Sequence, residues 1–334
     1  MQVWTDVAQV PPGFGPCVVT IGNFDGVHRG HRDVLARMVQ DARKAEIAAV
    51  VVTFDPHPAQ VHRPDSAPPL LTGLQDRLAL LADTGLDAVL VCHYTLGFAA
   101  QSAREFVAEY LVRALRAVTV VVGHDVRFGR GNSGDLTTMR ALGRRFGFDV
   151  EVIDDVAGHP DPHAMRELTH RRWSSTWARE LLAQGDVTAA AVVLGRPHTV
   201  RGVVVHGDAR GRALGFPTAN LSPSAVGMVP ADGVYAGWLI RPSLPEGGPD
   251  RRLPAAISVG TNPTFGGSSR RVEAYVLDRD DLELYDEDVV VEFTRRIRAT
   301  LAFDGVEALV DQMRRDVVAV AAALGLPSPT SSRR

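Results

Sequence analysis

The chain has 334 residues, of which 45% are hydrophobic and 22% charged, and its net charge is −3. This length and composition are typical of two globular domains, and the charge excludes an overall basic surface that would collect nucleic acid. No apolar run reaches the roughly 18 residues that a membrane-spanning helix needs, and residues 1–6 lack the basic and apolar segments of a signal peptide.

Cysteine and lysine are both rare. The two cysteines, Cys17 and Cys92, are too few for a disulfide framework or a common zinc site, so we expect a reduced, cytoplasmic setting. Lys44 is the only lysine. It lies late in a predicted helix, where neither a Walker A loop nor a Schiff base is expected. Any phosphate chemistry would therefore use histidine, arginine, backbone N–H groups and a metal ion.

Strands and helices alternate through the first 195 residues. Short runs rich in valine and isoleucine predict buried parallel strands at residues 18–21, 49–54, 88–92, 118–122 and 148–153. Between them lie helical patterns, one at residues 32–45 and one opened by a capping box from Ser102 to Glu105. We therefore predict a Rossmann-like parallel α/β domain over residues 1–195.

The pattern changes after residue 195. Strands separated by turn residues, with no helix between them, are predicted at residues 198–206, 233–241, 254–259, 271–277 and 288–293. They favour an antiparallel β-barrel. A final helix is expected to begin with a cap of Asp304 and Glu307 and to turn an apolar face that includes Val306 toward the core. This second domain is predicted over residues 196–326, followed by a disordered tail at residues 327–334.

A ten-residue string at residues 22–31 directly follows the first strand of the alternating region and leads into a helix. Ligands of open α/β sheets bind at the carboxyl ends of strands, beside helix N-termini. His28 and His31 can donate hydrogen bonds there to a triphosphate. The backbone of Gly22, Gly26 and Gly30 can approach a nucleotide closely. A His-x-x-His pair alone is weak evidence, and metal binding lacks a third ligand.

This string resembles the His-x-Gly-His motif of the α/β nucleotidyltransferase superfamily. In detail it is similar to the flavin-adenylylating module of bacterial bifunctional riboflavin kinase/FAD synthetases. The resemblance implies that His28 and His31 are catalytic. It implies nucleotide contacts from Gly22, Asn23, Phe24, Asp25, Gly26, Gly30, Ser174, Ser175, Thr176 and Arg179. It implies flavin contacts from Phe54, Pro56, His57, Pro58, Asp125 and Phe128.

Plainer interpretations exist for some of these residues. Phe54 and Phe128 could be core residues, as most phenylalanines are. Ser174 and its neighbours could simply cap the following helix.

A second motif, at residues 215–220, follows a glycine-rich run. Thr218 and Asn220 offer the hard oxygen atoms that Mg²⁺ prefers, and glycine N–H groups can cradle phosphates. The motif resembles the riboflavin kinase module of the same family. That resemblance implies nucleotide contacts from Gly207, Arg210, Gly211, Arg212 and Gly215, and flavin contacts from Asn262 and Thr264. It makes Glu273 the general base, the alternative being a solvent-facing strand residue.

The resemblance implies a transferase that phosphorylates riboflavin to FMN and then adenylylates FMN to FAD, using ATP and Mg²⁺. Small molecules are the expected partners, with no nucleic acid and no membrane. The sequence leaves open a weak homo-oligomer and transient delivery of product to apoflavoproteins. Two rivals are a nucleotidyltransferase for another phosphate monoester and a non-catalytic flavin-binding regulator.

Overall fold

The computed structural model describes residues 1–153, 171–207, 211, 214–261 and 270–328. The chain divides into two compact units. The first comprises Met1–Pro68 and Leu74–Trp173, and the second comprises Pro69–Gly73 and Ser174–Arg334. Within the described ranges, every helix is too short or too polar to cross a lipid bilayer.

The first unit is built on parallel strands with intervening helices. Its strands are β1 (Gln2–Trp4), β2 (Cys17–Ile21), β3 (Ala48–Asp55), β4 (Ala88–His93), β5 (Ala117–Gly123) and β6 (Asp149–Ile153). Its helices are α1 (Arg29–Lys44), α2 (Pro58–His62), α3 (Leu74–Ala82), α4 (Leu96–Ala99), α5 (Ala103–Phe106) and α6 (Leu136–Phe146), and α5 continues as a π-helix over Val107–Ala114.

These strands form one parallel sheet in the order β1-β4-β3-β2-β5-β6. Thr20 of β2 lies between Val51 of β3 and Val121 of β5. From β2 the chain continues to β3 on one side and later returns to β5 on the other. The strand order therefore reverses beside β2, and such a reversal opens a ligand crevice at the carboxyl ends of the strands.

Both faces of this sheet are covered, which explains the continuous apolar runs. Successive side chains of a strand point to opposite faces. Val18 packs in one buried cluster with Leu35 and Met38 of α1. Val19 packs in the opposite cluster with Leu111 of the π-helix.

The second unit contains a closed antiparallel barrel. Its strands are β7 (His198–Val205), β8 (Ala219–Leu221), β9 (Gly233–Ile240), β10 (Arg252–Thr261), β11 (Arg270–Val276) and β12 (Asp288–Arg298), in the order β10-β11-β8-β7-β12-β9. The barrel core includes an edge-to-face pair of fully buried rings, Tyr235 and Phe293, with centroids 5.4 Å apart. Its helices are α7 (Ser175–Gln184), α8 (Val187–Leu194) and α9 (Val306–Ala323). The predicted fold class is confirmed in both units.

Several local predictions were wrong. The helix predicted at residues 32–45 begins at Arg29, because the His28 side chain caps it. The cap predicted from Asp304 and Glu307 is absent: Gly305 is the N-cap residue, without a side-chain hydrogen bond, and Val306 is 60% exposed. The sequence also gave no sign of β1 or β8, which have three residues each.

The division into units differs from the sequence-based domain boundary at residue 195. Helices α7 and α8 precede that boundary but belong to the second unit, where α8 packs against β7 and β12. The boundary itself stays a prediction. Residues 329–334 of the predicted tail lie outside the described residues.

Candidate active sites

The first candidate site lies at the carboxyl ends of the central parallel strands. The loop of residues 22–28 follows β2, the loop of residues 54–57 ends β3, and residues 124–128 follow β5. Since β2 pairs with both β3 and β5, the three segments meet at one edge of the sheet. The fold thus brings together the predicted nucleotide and flavin segments at the point where strand order reverses.

His28 and His31 are stacked at the N-terminus of α1. Their ring centroids are 3.6 Å apart, with an angle of 22° between the planes. The His31 backbone N–H donates to His28 Nδ1 over 3.3 Å. When neutral, His28 therefore carries its proton on Nε2, where it can be donated. Gly30 makes this packing feasible, because a Cβ there would lie 3.3 Å from the His28 ring.

His31 is kept neutral by its surroundings. Burial lowers its pKa well below 6.5, and the charges of His28 and Arg172 lower it further. Its Nδ1 atom is buried and has no hydrogen-bond partner among the described residues. A neutral imidazole with an unused ring nitrogen is suited to hydrogen bonding with a charged ligand.

The predicted nucleotide and flavin residues differ in how they can reach a ligand. Phe24 is buried in the core against the His31 ring, so its contact with a nucleotide would come from its backbone. Phe128 is also buried in the core, while Phe54 is only partly buried beside it. His57 caps α2, and Asp125 is 69% exposed. The core interpretation of Phe128 therefore fits its burial, and a flavin contact from it stays a prediction.

Sequence reasoning missed two arginines of this unit. Arg172 lies 3.2 Å from Asp125 and contributes to the lowered pKa of His31. Its only sequence signal was its place immediately before Trp173 and the Ser-Ser-Thr segment. Arg77, in α3, is buried and donates to backbone carbonyls of Asn23 and Phe54. The only sequence signal for Arg77 was the presence of an arginine within an apolar helical stretch.

The Ser-Ser-Thr segment opens α7, in the second unit. The Ser174 hydroxyl accepts a hydrogen bond from Trp177 N–H, so it acts as the N-cap. Arg179 donates to the Pro69 carbonyl over 2.8 Å. Ser175 is half-buried and Thr176 is exposed. The helix-cap interpretation of Ser174 describes its position, and the contact of these residues with ATP stays a prediction.

The second candidate site lies on two paired barrel strands. Glu273 of β11 lies opposite Asn220 of β8, so the two side chains share one face of the sheet. Asn220 Nδ2 donates to the Thr218 carbonyl over 3.2 Å and lies 3.3 Å from the Thr218 hydroxyl. The sequence separates Glu273 from Asn220 by more than 50 residues, and the short strand β8 is what joins them.

Glycines pack closely around Asn220 and Thr218. A Cβ on Gly207 would lie 2.6 Å from the Asn220 side chain, and one on Gly211 would lie 2.5 Å from the Phe216 carbonyl. Gly215 has a φ of +84°, a conformation that favours glycine. Gly207 therefore lets the backbone approach the Asn220 side chain, and Gly211 lets it approach the Phe216 carbonyl, with the Thr218 hydroxyl 3.6 Å from where the Gly211 Cβ would be.

Thr218 and Asn220 are suited to Mg²⁺ that is bound partly by substrate phosphates, rather than to a metal ion held entirely by protein side chains. The Asn220 amide nitrogen is engaged with Thr218, which turns the amide oxygen the other way. Among the described residues, no group of three or more His, Cys, Asp or Glu side chains could hold a metal ion. Mg²⁺ is commonly bound by few protein oxygens together with substrate phosphates, which agrees with this set.

A cavity of about 330 Å³ adjoins Glu273. Its lining includes Thr218 and Phe216 together with Tyr275 and with Met313 and Val317 of α9. Such an apolar pocket with a few polar groups suits a flat aromatic ligand with a polar tail. The other predicted contacts, Arg210, Arg212, Asn262 and Thr264, lie outside the described residues.

Replacing Gly207 with Ala is expected to slow the phosphoryl transfer to riboflavin that the sequence predicts for the barrel. The new Cβ would collide with the Asn220 amide and push it out of place. Misplacing a site group by about 1 Å can cost up to 10²-fold, so we expect a loss of roughly 10- to 100-fold. Steady-state assays of riboflavin phosphorylation by Gly207→Ala would measure it. The rate of FAD formation from FMN, the reaction predicted for the first unit, serves as the control. A rate of riboflavin phosphorylation equal to wild type would contradict the predicted collision with Asn220.

Comparison with known families gives one match in each half of the chain. A family model described as FAD synthetase matches residues 12–162, and one described as riboflavin kinase matches residues 194–324. The first match covers strands β2 to β6 of the parallel sheet and both histidines, and the second covers the barrel.

Whole-chain relatives carry both descriptions in one name. The chain is 36% identical over 313 residues to the bifunctional riboflavin kinase/FMN adenylyltransferase of Escherichia coli K12, covering 94% of each chain. It is 35% identical to the protein of the same name from Pseudomonas fluorescens, over the full length of both. It also resembles the crystal structure described as a macrolide-efflux protein from Streptococcus pneumoniae, with a TM-score of 0.78 at 30% identity, covering 94% and 96% of the two chains.

Proposed function

The chain belongs to the family of bifunctional riboflavin kinase/FMN adenylyltransferases, and we propose that each of its two sites carries out one of the two reactions. The protein is a transferase that converts riboflavin to FMN and FMN to FAD. We assign the first step to the barrel of the second unit and the second step to the parallel sheet of the first.

In the barrel, the 5′-hydroxyl of riboflavin attacks the γ-phosphorus of ATP, giving FMN and ADP. We assign Glu273 as the base that accepts the hydroxyl proton, because it lines the cavity and lies beside Asn220. Apolar side chains such as Met313 and Val317 would hold the flavin ring. Thr218 and Asn220 would hold Mg²⁺, which supplies neutralisation of charge on the transferred phosphate.

In the parallel-sheet unit, a phosphate oxygen of FMN attacks the α-phosphorus of ATP, and pyrophosphate leaves. We assign His28 and His31 to the phosphates of ATP. Their imidazoles lie at the N-terminus of α1, where they would donate hydrogen bonds as negative charge builds up, and the helix N-terminus adds a positive end. Because its pKa is lowered, His31 is neutral at neutral pH, which supports a role as a hydrogen-bond donor rather than as a positive charge.

Three further expectations stay proposals. Cys17 and Cys92 are buried free thiols, which supports a cytoplasmic location. Weak self-association and delivery of product to apoflavoproteins are retained from the sequence, and analytical ultracentrifugation with and without an apoflavoprotein would test both.

The observation that carries the kinase assignment is the pairing of β8 with β11, which sets Asn220 beside Glu273 at an apolar cavity. Incubation with riboflavin, ATP and Mg²⁺, followed by chromatographic separation of flavins, tests the whole function. We expect FMN to appear first and FAD to follow. A flavin-binding regulator would bind riboflavin without consuming ATP, and a nucleotidyltransferase for another substrate would form no FMN.

A fragment of residues 174–334 is expected to phosphorylate riboflavin but to make no FAD. It begins at 174 because α7 and α8 belong to the same compact unit as the barrel. The fragment lacks the buried Leu71, so we expect a lower Tm than in the full chain and would assay it at low temperature. FAD formation by the purified fragment would contradict the assignment of one reaction to each unit.

A further inference from the structure

One buried charge in the first unit has no part in the chemistry assigned above. Arg77 of α3 is only 2% exposed. An arginine is rarely buried this fully unless its guanidinium is engaged by specific partners. The hydrogen-bond acceptors of Arg77 are backbone carbonyls, whereas those of a surface ion pair are carboxylates.

The Arg77 guanidinium binds two backbone carbonyls from two different loops. Nη1 donates to the Asn23 carbonyl over 3.0 Å, and Nη2 donates to the Phe54 carbonyl over 2.9 Å. Asn23 lies in the loop after β2, which leads to the two histidines, and Phe54 lies at the end of β3, where the predicted flavin loop begins. A single rigid, planar group therefore spans both loops.

The first of these loops needs support from outside. Phe24 and Val27 have φ values of +50° and +39°, which side chains with a Cβ rarely adopt. Such conformations persist only where surrounding contacts hold them. The Asn23 carbonyl, directly before Phe24, accepts from Arg77 and lies 3.2 Å from the Thr53 hydroxyl, which also donates to it.

Two carboxylates accompany the buried guanidinium. Arg77 Nη2 lies 3.6 Å from Asp55 Oδ1, and the charge of Asp25, which is 2% exposed, acts on Arg77 as well. Burial lowers the pKa of Arg77, and these two carboxylates oppose that change. Both acids belong to the same two loops, so charge attraction and hydrogen bonding draw the loops to one point.

We propose that Arg77 is a positioning residue for adenylyl transfer, fixing the loop that holds ATP relative to the loop that holds FMN. The inference rests on the proposed function of this unit. Adenylyl transfer needs an FMN phosphate oxygen in line with the α-phosphorus of ATP, so the separation of the two loops sets the reactive geometry. Each loop alone still binds its substrate when Arg77 is changed, but the two substrates meet less often in reactive alignment.

The test compares Arg77→Lys and Arg77→Met in the full-length protein with Arg43→Lys. Lysine keeps the positive charge but cannot present a planar fork to two carbonyls. We expect kcat for FAD formation from FMN to fall by roughly 10-fold in Arg77→Lys and 100-fold in Arg77→Met, with the KM values for ATP and FMN within about threefold of wild type. Riboflavin phosphorylation by the same samples should be unchanged. Arg43 is half-exposed and donates to the Asp87 carboxylate and the Gly85 carbonyl at the far end of α1, so Arg43→Lys controls for an arginine-to-lysine change away from the site and should retain both activities.

The outcomes separate positioning from general stability. A wild-type kcat in Arg77→Lys would overturn the inference, since charge alone would then suffice. A rise in KM with unchanged kcat would overturn it too, because it would indicate substrate binding instead of alignment. If Arg77→Met fails to fold, Arg77→Lys decides the question, with its denaturation midpoint confirming a folded unit. A wild-type protein that makes no FAD would refute the proposed function itself, and the inference with it.

Discussion

Glu273→Gln is expected to lower the rate of riboflavin phosphorylation by roughly 10²–10⁴-fold, the usual contribution of a general base. Glutamine keeps the size of the side chain and much of its hydrogen bonding, but it cannot accept the proton of the 5′-hydroxyl at neutral pH. The pairing of Glu273 with Asn220 places the lost base beside the predicted phosphate and Mg²⁺ site. Flavin and Mg-nucleotide binding, measured by fluorescence quenching and calorimetry, should stay near wild type.

Two controls accompany this variant. Supplied with FMN directly, Glu273→Gln should still make FAD at nearly the wild-type rate, because that chemistry lies in the other unit. Glu292→Gln, on β12, changes a strand glutamate whose partner is Arg252, and it should retain kinase activity. If Glu273→Gln phosphorylated riboflavin normally, Glu273 would be the solvent-facing strand residue of the alternative interpretation.

The second large effect is expected from His28→Ala and His31→Ala, each of which should slow FAD formation from FMN by roughly 10²–10³-fold. That is the typical cost of removing one donor from a site where charge develops. The rings stack at 3.6 Å and His28 Nδ1 caps α1, so each change also disturbs its neighbour. The losses in the double variant should therefore be less than additive in free energy.

Riboflavin phosphorylation by the same histidine variants should persist at the wild-type rate. His28→Asn adds a useful comparison, because asparagine can still cap the helix while lacking the imidazole. We expect His28→Asn to recover thermal stability relative to His28→Ala but not the rate of adenylylation. Unchanged FAD synthesis in both alanine variants would exclude the assigned role.

Features encoded by neighbouring residues were predicted from the sequence, whereas features that depend on segments far apart in the chain were not. The apolar runs of β2 and β3 predicted buried parallel strands because burial on both faces leaves a continuous local pattern. The capping box from Ser102 to Glu105 was also predicted from a local pattern, since its two residues are only three positions apart, and the structure contains it. In contrast, β8 has three residues and no pattern of its own, since its strand conformation comes from pairing with β7 and β11.

The start of α1 illustrates an error of the same origin. The sequence placed His31 at the helix entrance, but the helix begins three residues earlier with His28 as its cap. Histidine is an unusual N-cap residue, so propensity gave no indication of it. The correction changes the chemistry, because the cap fixes which nitrogen of His28 donates.

The sequence by itself determined the two-part architecture and the family, because contiguous motifs carry this information within ten or so residues, while the substrate contacts that it implies stay predictions. Only the tertiary structure decided that Asn220 faces Glu273, that His31 is desolvated, and that Arg77 joins two loops. These facts depend on strand order and on burial. Both arise when segments far apart in sequence pack together, and no local pattern records which segments will meet.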